Sequence, residues 1–174
     1  MNPTWCMGYP TGDEQGTFLA LDMGGTNLRV CEITLTEEKS EFDIIQSKYK
    51  MPEELKTGSA DELWEYIADC LKNFIDTHHQ GNDVGKMNLG FTFSYPATQD
   101  YIDHGVLQRW TKGFDIDGVE GENVVPMFEK AIAKEVSSSL SKCRTIGSHM
   151  AGRPNQFDSS DQRYHRYFDC ICLH

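Results

Sequence analysis

The sequence predicts an α/β domain in which strands come first and helices lie between and after later strands. Short apolar and β-branched runs flank the Gly24-Gly25 pair. Apolar residues recur at helical spacing after Ser59, and Leu89, Phe91 and Phe93 alternate as in a strand. A chain of 174 residues with 39% hydrophobic content is long enough to bury the core of one globular domain.

Three antiparallel strands are expected at the start of the domain. Residues 17–21 are largely apolar and end at Asp22 and the Gly-Gly pair, and apolar residues then resume at Leu28, Val30, Ile33 and Leu35. This order is typical of strand, tight turn and strand. A third strand is predicted over 42–49, and Pro52 ends it because proline cannot donate to a strand ladder.

Two helices are predicted. Ser59 and Glu62 have the spacing of a capping box, and apolar residues continue at helical spacing to Ile75. Residues 76–85 are polar and are interpreted as a loop. A second helix is predicted over 124–134.

The composition excludes several classes of partner. A net charge of -11 argues against binding to nucleic acid or to an anionic membrane, since both need clustered Lys and Arg. No apolar run is long enough to span a membrane, and the first residues lack the pattern of a signal peptide, so a soluble cytoplasmic protein is expected.

His78 and His79 are adjacent rather than four apart, which favours a solvated loop over a metal site. The six cysteines have no disulfide or zinc spacing and are interpreted as reduced thiols: Cys6, Cys31, Cys70, Cys143, Cys170 and Cys172.

Two stretches carry the functional signal. The first, from Phe18 to Val30, reads F-L-A-L-D-M-G-G-T-N-L-R-V, and its glycines would let backbone N–H groups face a polyphosphate. It is neither a dinucleotide fingerprint nor a Walker loop, and an ordinary Gly-Gly hairpin is the alternative. The second, from Leu89 to Phe114, reads L-G-F-T-F-S-Y-P-A-T-Q-D-Y-I-D-H-G-V-L-Q-R-W-T-K-G-F. Taken singly, its Ser94 and Lys112 are a turn residue and a solvated charge.

Together and in this order, the two stretches resemble the phosphate loop and sugar signature of the hexokinase family, and look similar to its fungal branch. The resemblance runs from about Trp5 to Lys134. It implies the actin-like, ribonuclease-H-like α/β fold, with only the small lobe of a hexokinase present as a mixed sheet with flanking helices. It also implies ATP-dependent, Mg-requiring phosphorylation of a hexose at its 6-hydroxyl, in glycolysis.

The resemblance assigns roles to particular residues. It implies that Asp22 helps to hold the Mg-nucleotide indirectly, through water, and that Lys48 is linked to the nucleotide. Phosphate contacts fall on the turn of the first motif, to which Arg29 also belongs: Gly24, Gly25, Thr26 and Asn27. Hexose binding, of glucose, fructose or mannose, falls on Ser94, Thr111 and Lys112. Aromatic residues of the second motif are interpreted as core or pocket wall, namely Phe91, Phe93, Trp110 and Phe114, and no chemical role is given to Asp103, Gln108 or Arg109.

The general-base aspartate of hexokinases lies in an I-N-D-T-T-G-T segment that this sequence does not contain. One permitted choice of codons for Gly152 to His174, read one nucleotide later, gives G-V-P-I-N-L-T-A-L-I-N-D-T-T-G-T-L-I-A-S-A-Y. We therefore expect a nearly complete small domain over 1–135 and an unrelated, disordered tail over 136–174 that arises from a retained intron or frameshift.

The chain itself is therefore expected to be inactive, with its catalytic aspartate and large lobe missing. A non-catalytic hexose-binding or regulatory module is the alternative, and an unstable product without function is the third possibility. The hexose preference and the oligomeric state are left open.

Overall fold

The first part of the fold is a four-stranded mixed sheet, seen in a computed structural model that describes residues 13–36, 41–79, 87–101 and 103–139. Its strands are β1 (Gly16–Met23), β2 (Asn27–Leu35), β3 (Phe42–Lys50) and β4 (Asn88–Phe93), in the order β3-β2-β1-β4. The first three strands are antiparallel, as predicted, and β4 runs parallel to β1. Asp22 lies inside β1 rather than after it.

Two helices cover one face of the sheet, α1 (Ala60–His79) and α2 (Val124–Ser139). The interpretation of residues 76–85 as a loop is wrong up to residue 79, because α1 continues for another turn. In that turn the His78 ring lies 4.6 Å from the Phe74 ring, and His79 contacts Glu32 of β2. A 3-10 turn (Glu54–Thr57) and a small hairpin of β5 (Ala97–Thr98) and β6 (Val106–Leu107) are additional elements that the sequence analysis did not predict.

The predicted capping box at the start of α1 is confirmed. The backbone N–H and the hydroxyl of Ser59 both donate to Glu62 Oε2, at 2.9 and 3.0 Å, and the Glu62 N–H donates to Ser59 Oγ at 3.3 Å. The hydrogen bonds from Ser59 lower the pKa of the Glu62 carboxyl. The bond from the Ser59 backbone has the largest effect, and the bond from its hydroxyl adds to it. The first turn of α1 therefore has reciprocal side-chain caps.

The core lies between the helices and one face of the sheet. Alternate residues of each strand point to this face, so the register pairs Leu21 with Val30 on one side and with Phe91 on the other. All three are buried, as are Ile67 and Phe74 of α1. The opposite face of the sheet carries the remaining alternate residues, and its polar end belongs to the candidate site.

The described residues decide which predictions on the tail, the cysteines and membrane spans can be compared with the structure. Residues 140–174, most of the predicted tail, lie outside the described residues, and so the predicted domain boundary stays a prediction. Cys31 and Cys70, the two cysteines within the described ranges, are free thiols as predicted. Across those same ranges, no helix is long and apolar enough to cross a membrane.

Candidate functional site

The candidate site lies where the parallel strands β1 and β4 end side by side. Met23 is the last residue of β1 and pairs with Phe93, the last residue of β4. The N–H of Ser94 donates to the carbonyl of Met23 at 3.4 Å. Because the carboxyl ends of parallel strands lie at one edge of a sheet, the two predicted motifs meet here.

The phosphate turn, residues 24–27, is a tight connection between β1 and β2. The Gly24 N–H donates to the Asn27 carbonyl at 3.0 Å, and the N–H of Met51 donates to the Thr26 carbonyl at 2.9 Å. The second bond joins the turn to the segment that follows β3. The turn is therefore fixed by backbone hydrogen bonds on two sides.

Gly25 has a packing reason to lack a side chain. A Cβ placed on Gly25 would lie 2.8 Å from Cβ and 3.0 Å from Cδ of Lys112. A Cβ on Gly24 would meet only the Asn27 carbonyl oxygen, at 3.5 Å, which is an ordinary contact. The turn thus lies directly against the stem of the lysine in the second motif, a contact that the sequence did not predict.

A row of charged side chains crosses the sheet beside the turn. Asp22 pairs with Arg29 across β1 and β2, and Arg29 pairs with Lys48 across β2 and β3. Arg29 Nη1 donates to Asp22 Oδ2 at 3.2 Å, with the side chains 53% and 41% exposed, so this ion pair contributes little to stability. The structure therefore brings together the three charged residues that the resemblance assigned to the nucleotide.

Lys112 has a conformation that is unusual for a residue with a side chain. Its φ is 60°, in the left-handed region, and Gly113 follows with a φ of 83°. The Lys112 ammonium donates to the backbone carbonyl of Ser94 at 2.5 Å and lies 4.9 Å from the centre of the Tyr95 ring. The two ends of the predicted hexose site, Ser94 and Lys112, are thus in direct contact, with Thr111 next to Lys112 in the chain.

The loop that carries Thr111 and Lys112 is anchored on both sides. Glu120 Oε1 accepts a hydrogen bond from the backbone N–H of Trp110 at 2.5 Å, and the Trp110 indole N–H donates to the Ile116 carbonyl at 3.0 Å. The Trp110 and Phe114 rings stack 5.4 Å apart. The four aromatic residues predicted to be core or pocket wall are all buried, namely Phe91, Phe93, Trp110 and Phe114.

Tyr95 joins the two halves of the site, and the sequence analysis missed it. Its side chain is fully buried, and its hydroxyl donates to the Gly24 carbonyl at 3.1 Å. Burial raises the pKa of Tyr95, so the hydroxyl stays a proton donor. Tyr95 follows the inward-facing Phe93 by two residues, and this spacing could have predicted that Tyr95 is buried. A buried tyrosine hydroxyl usually has a hydrogen-bond partner, which would have marked Tyr95 as a candidate.

Two sets of predicted non-site residues are also placed by the structure. Gln108 donates from Nε2 to the Thr98 hydroxyl at 2.7 Å, which stabilises the small β5–β6 hairpin. The interpretation of His78 and His79 as solvated loop residues is wrong, because both lie in α1. His78 is exposed, whereas His79 Nε2 lies 2.5 Å from the buried carboxylate of Glu32. Within the described ranges, no group of three or more His, Cys, Asp or Glu side chains is arranged to hold a metal ion.

The fold is a small α/β lobe of the kind found in solved hexokinase structures. Over 77% of this chain and 30% of its own, the hexokinase from Schistosoma mansoni complexed with glucose superimposes with a TM-score of 0.69 at 44% identity. A second structure, described as a hexokinase, gives a TM-score of 0.70 at 30% identity over 83% of this chain and 34% of its own. The predicted small-lobe fold is confirmed.

The sequence comparisons agree with the structural ones. A family model described as hexokinase matches residues 1–147, and the chain belongs to the hexokinase family. It is 76% identical to a hexokinase of Emericella nidulans over 130 residues, which are 75% of this chain and 26% of that protein. It is 52% identical to hexokinase-1 of Schizosaccharomyces pombe over 152 residues, 87% of this chain and 31% of that protein. The chain thus spans about a quarter to a third of the length of these relatives.

Proposed function

We propose that this chain forms the small lobe of an ATP-dependent hexokinase and supplies contacts to both the hexose and the phosphates of Mg-ATP. The observation that carries the proposal is the contact between Gly25 and Lys112, because it brings the phosphate turn against the residue assigned to the sugar. Membership of the hexokinase family supports the reaction class. The glycolytic role expected from the resemblance and the cytoplasmic location expected from the sequence pattern belong to this proposal.

The hexose half of the site offers the groups that a sugar requires. A hexose presents only hydroxyl groups, which are recognised by fixed hydroxyl, amide, carboxylate or ammonium groups. Ser94 and Thr111 carry hydroxyls, and Lys112 carries three N–H donors, one of which the Ser94 carbonyl accepts. The other N–H donors of Lys112, whose ammonium lies over the Tyr95 ring, are available to sugar oxygens.

The nucleotide half of the site offers positive charge beside a glycine turn. Arg29 and Lys48 lie next to the turn in the sheet register, and both cations favour phosphate. Asp22 is the carboxylate of this row and is partly exposed, which leaves room for water between its carboxylate and Mg²⁺, an ion that usually keeps several of its waters. When bound, Mg²⁺ would neutralise phosphate charge during transfer to the hexose.

A polypeptide with only this sequence is expected to have negligible turnover. Phosphoryl transfer to a sugar hydroxyl uses a carboxylate near that hydroxyl, and the I-N-D-T-T-G-T segment that supplies it in the family is not in the sequence. We would measure hexose-dependent ATP consumption by the purified chain. Activity that Lys112→Ala abolishes would contradict this part of the proposal.

The competing function is a non-catalytic hexose-binding or regulatory module. It is favoured by one observation, that Ser94, Thr111 and Lys112 all lie in the described lobe and that the Lys112 ammonium donates a hydrogen bond to the Ser94 carbonyl. Titrations of the chain with glucose and with Mg-ATP, followed by NMR, separate the two functions. Binding of both ligands supports a kinase lobe, glucose binding alone supports the module, and binding of neither contradicts both.

A further inference from the structure

We propose that Tyr95 is a positioning residue that couples the phosphate turn to the hexose-binding Lys112, with its hydroxyl acting on the turn and its ring acting on the lysine. This inference rests on the proposed function for its consequences in ligand binding. The coupling itself is a property of the chain without ligands, and the experiment below separates the two.

The hydroxyl of Tyr95 fixes the first residue of the phosphate turn. It donates to the Gly24 carbonyl at 3.1 Å, while the Gly24 N–H donates to Asn27 at 3.0 Å. Both sides of the residue that begins the turn are therefore hydrogen-bonded. Because removal of the hydroxyl leaves this partly buried carbonyl without its donor, it should let the turn change its orientation.

The face of the Tyr95 ring contacts the ammonium of Lys112. The ammonium lies 4.9 Å from the ring centre, within the range of a cation–π contact. The ring is itself fixed by edge contacts with Trp110, at 5.0 Å, and with Phe114, at 5.4 Å. One side chain thus contacts the backbone of the phosphate turn with one end and the sugar-binding ammonium with its face.

The two ends of Tyr95 can be removed separately, which makes the proposal testable. Tyr95→Phe deletes the hydroxyl and keeps the ring, whereas Tyr95→Leu deletes both. The matched control is Tyr66→Phe, which removes another tyrosine hydroxyl that donates to a backbone carbonyl, that of Lys50 at 2.8 Å. A general loss of stability should affect Tyr95→Phe and Tyr66→Phe alike.

The first measurement is amide hydrogen exchange of the ligand-free chain by NMR. In Tyr95→Phe we expect the Gly24 amide to exchange about five-fold faster or more, the equivalent of roughly 1 kcal/mol for one hydrogen bond, with no change at the amide of Trp110. Tyr66→Phe should leave the Gly24 amide unchanged. Equal acceleration at Gly24 and Trp110, or none at Gly24, would overturn the proposal.

The second measurement is the affinity of the chain for Mg-ATP and for glucose. We expect Tyr95→Phe to weaken Mg-ATP binding about five-fold and to leave glucose binding within about two-fold, whereas Tyr95→Leu weakens both. Equal weakening of both ligands by Tyr95→Phe would also overturn the proposal. If the wild-type chain binds neither ligand while the Gly24 amide responds as expected, the proposed function fails and the positioning role of Tyr95 is retained.

Discussion

Lys112 adopts a backbone conformation that is unfavourable for any residue with a Cβ atom. A left-handed φ costs about 1–2 kcal/mol for residues other than glycine, and Gly113 beside it shows that glycine was available to this loop. The strain persists because the loop is anchored through Trp110 and Glu120. Glycine would be easier to place at position 112, so the lysine found there supports the hexose-binding role proposed for it.

The ammonium of Lys112 should matter more for hexose binding than for folding. We expect Lys112→Met to weaken glucose binding about ten-fold or more, because charge-assisted hydrogen bonds are lost, and to lower the free energy of unfolding by only about 1 kcal/mol or less. Titration calorimetry and urea unfolding measure the two quantities. The control is Lys56→Met, since the Lys56 ammonium lies 5.9 Å from the Phe114 ring in the same aromatic cluster. A similar loss of glucose affinity in both variants would contradict this role.

The two glycines of the phosphate turn should respond differently to alanine. A Cβ on Gly25 would collide with the stem of Lys112, so we expect Gly25→Ala to lower the free energy of unfolding by about 1–3 kcal/mol and to weaken glucose binding. Gly24→Ala meets only an ordinary contact and should change stability by no more than about 0.5 kcal/mol. Chemical denaturation of both variants measures this difference. A stable Gly25→Ala chain with normal glucose affinity would disprove the close contact.

At the scale of the elements, the start of α1 should make stability depend on pH. The pKa of Glu62 is lowered from 4.5 by hydrogen bonds from Ser59, so its contribution is fully present above 4.5 and is lost as the pH falls through the lower folded value. The stability difference between wild type and Glu62→Gln should therefore shrink below pH 4.5. Denaturant unfolding over this pH range measures it, and a difference that persists unchanged to about pH 3 would contradict the capping role.

The C-terminal end of α1 contacts the sheet through two histidines. His79 contacts the buried Glu32, whereas the neighbouring His78 is exposed and contacts the Ser47 hydroxyl at 3.3 Å. We expect His79→Ala to lower the free energy of unfolding by about 1–3 kcal/mol, because a buried carboxylate loses its partner, and His78→Ala to cost about 0.5 kcal/mol or less. Thermal and urea unfolding of the pair test this. Equal losses would show that the Glu32 contact is unimportant.

Local sequence patterns predicted the long elements well. The apolar runs of β1 and β2, the alternation in β4 and the capping box of α1 depend on neighbours a few residues apart, and each was found where expected. The end of α1 was mispredicted because His79 is stabilised by Glu32, a contact 47 residues away that periodicity does not report. The two-residue strands β5 and β6 are too short for any period to appear.

At the scale of the whole molecule, the edge strand β3 exposes apolar side chains that favour self-association. Phe42, Ile44 and Ile45 are 58%, 52% and 41% exposed on this edge strand. We expect concentration-dependent association that Ile44→Lys reduces, because a charge on an edge strand opposes pairing with another chain. Light scattering measures it. Gln46→Lys adds the same charge on the same strand without removing an apolar side chain, and should have a smaller effect.

The site residues could be assembled from the sequence only through the resemblance to a family. Nothing local connects Asp22, Arg29 and Lys48, which become neighbours through the register of three strands. The contact between Gly25 and Lys112 joins residues 87 positions apart. Tyr95 was missed for the same reason, because the acceptor of its hydroxyl, Gly24, lies in a different motif. The chemistry of single residues was readable from the sequence, whereas their partnerships depended on tertiary structure.

The contact between Gly25 and Lys112 also constrains how the two motifs can vary in evolution. A mutation that gives position 25 a side chain is harmful as long as a lysine stem lies against it, whatever its effect on phosphate. The nearest atom is the Cβ of Lys112, so only glycine at position 112 removes the contact fully, and that first change also removes the ammonium. Whether position 25 or position 112 changes first, the intermediate protein has either a collision at the turn or no ammonium in the site. Positions 25 and 112 should therefore drift together in lineages that have lost hexose binding, and stay fixed together in those that keep it.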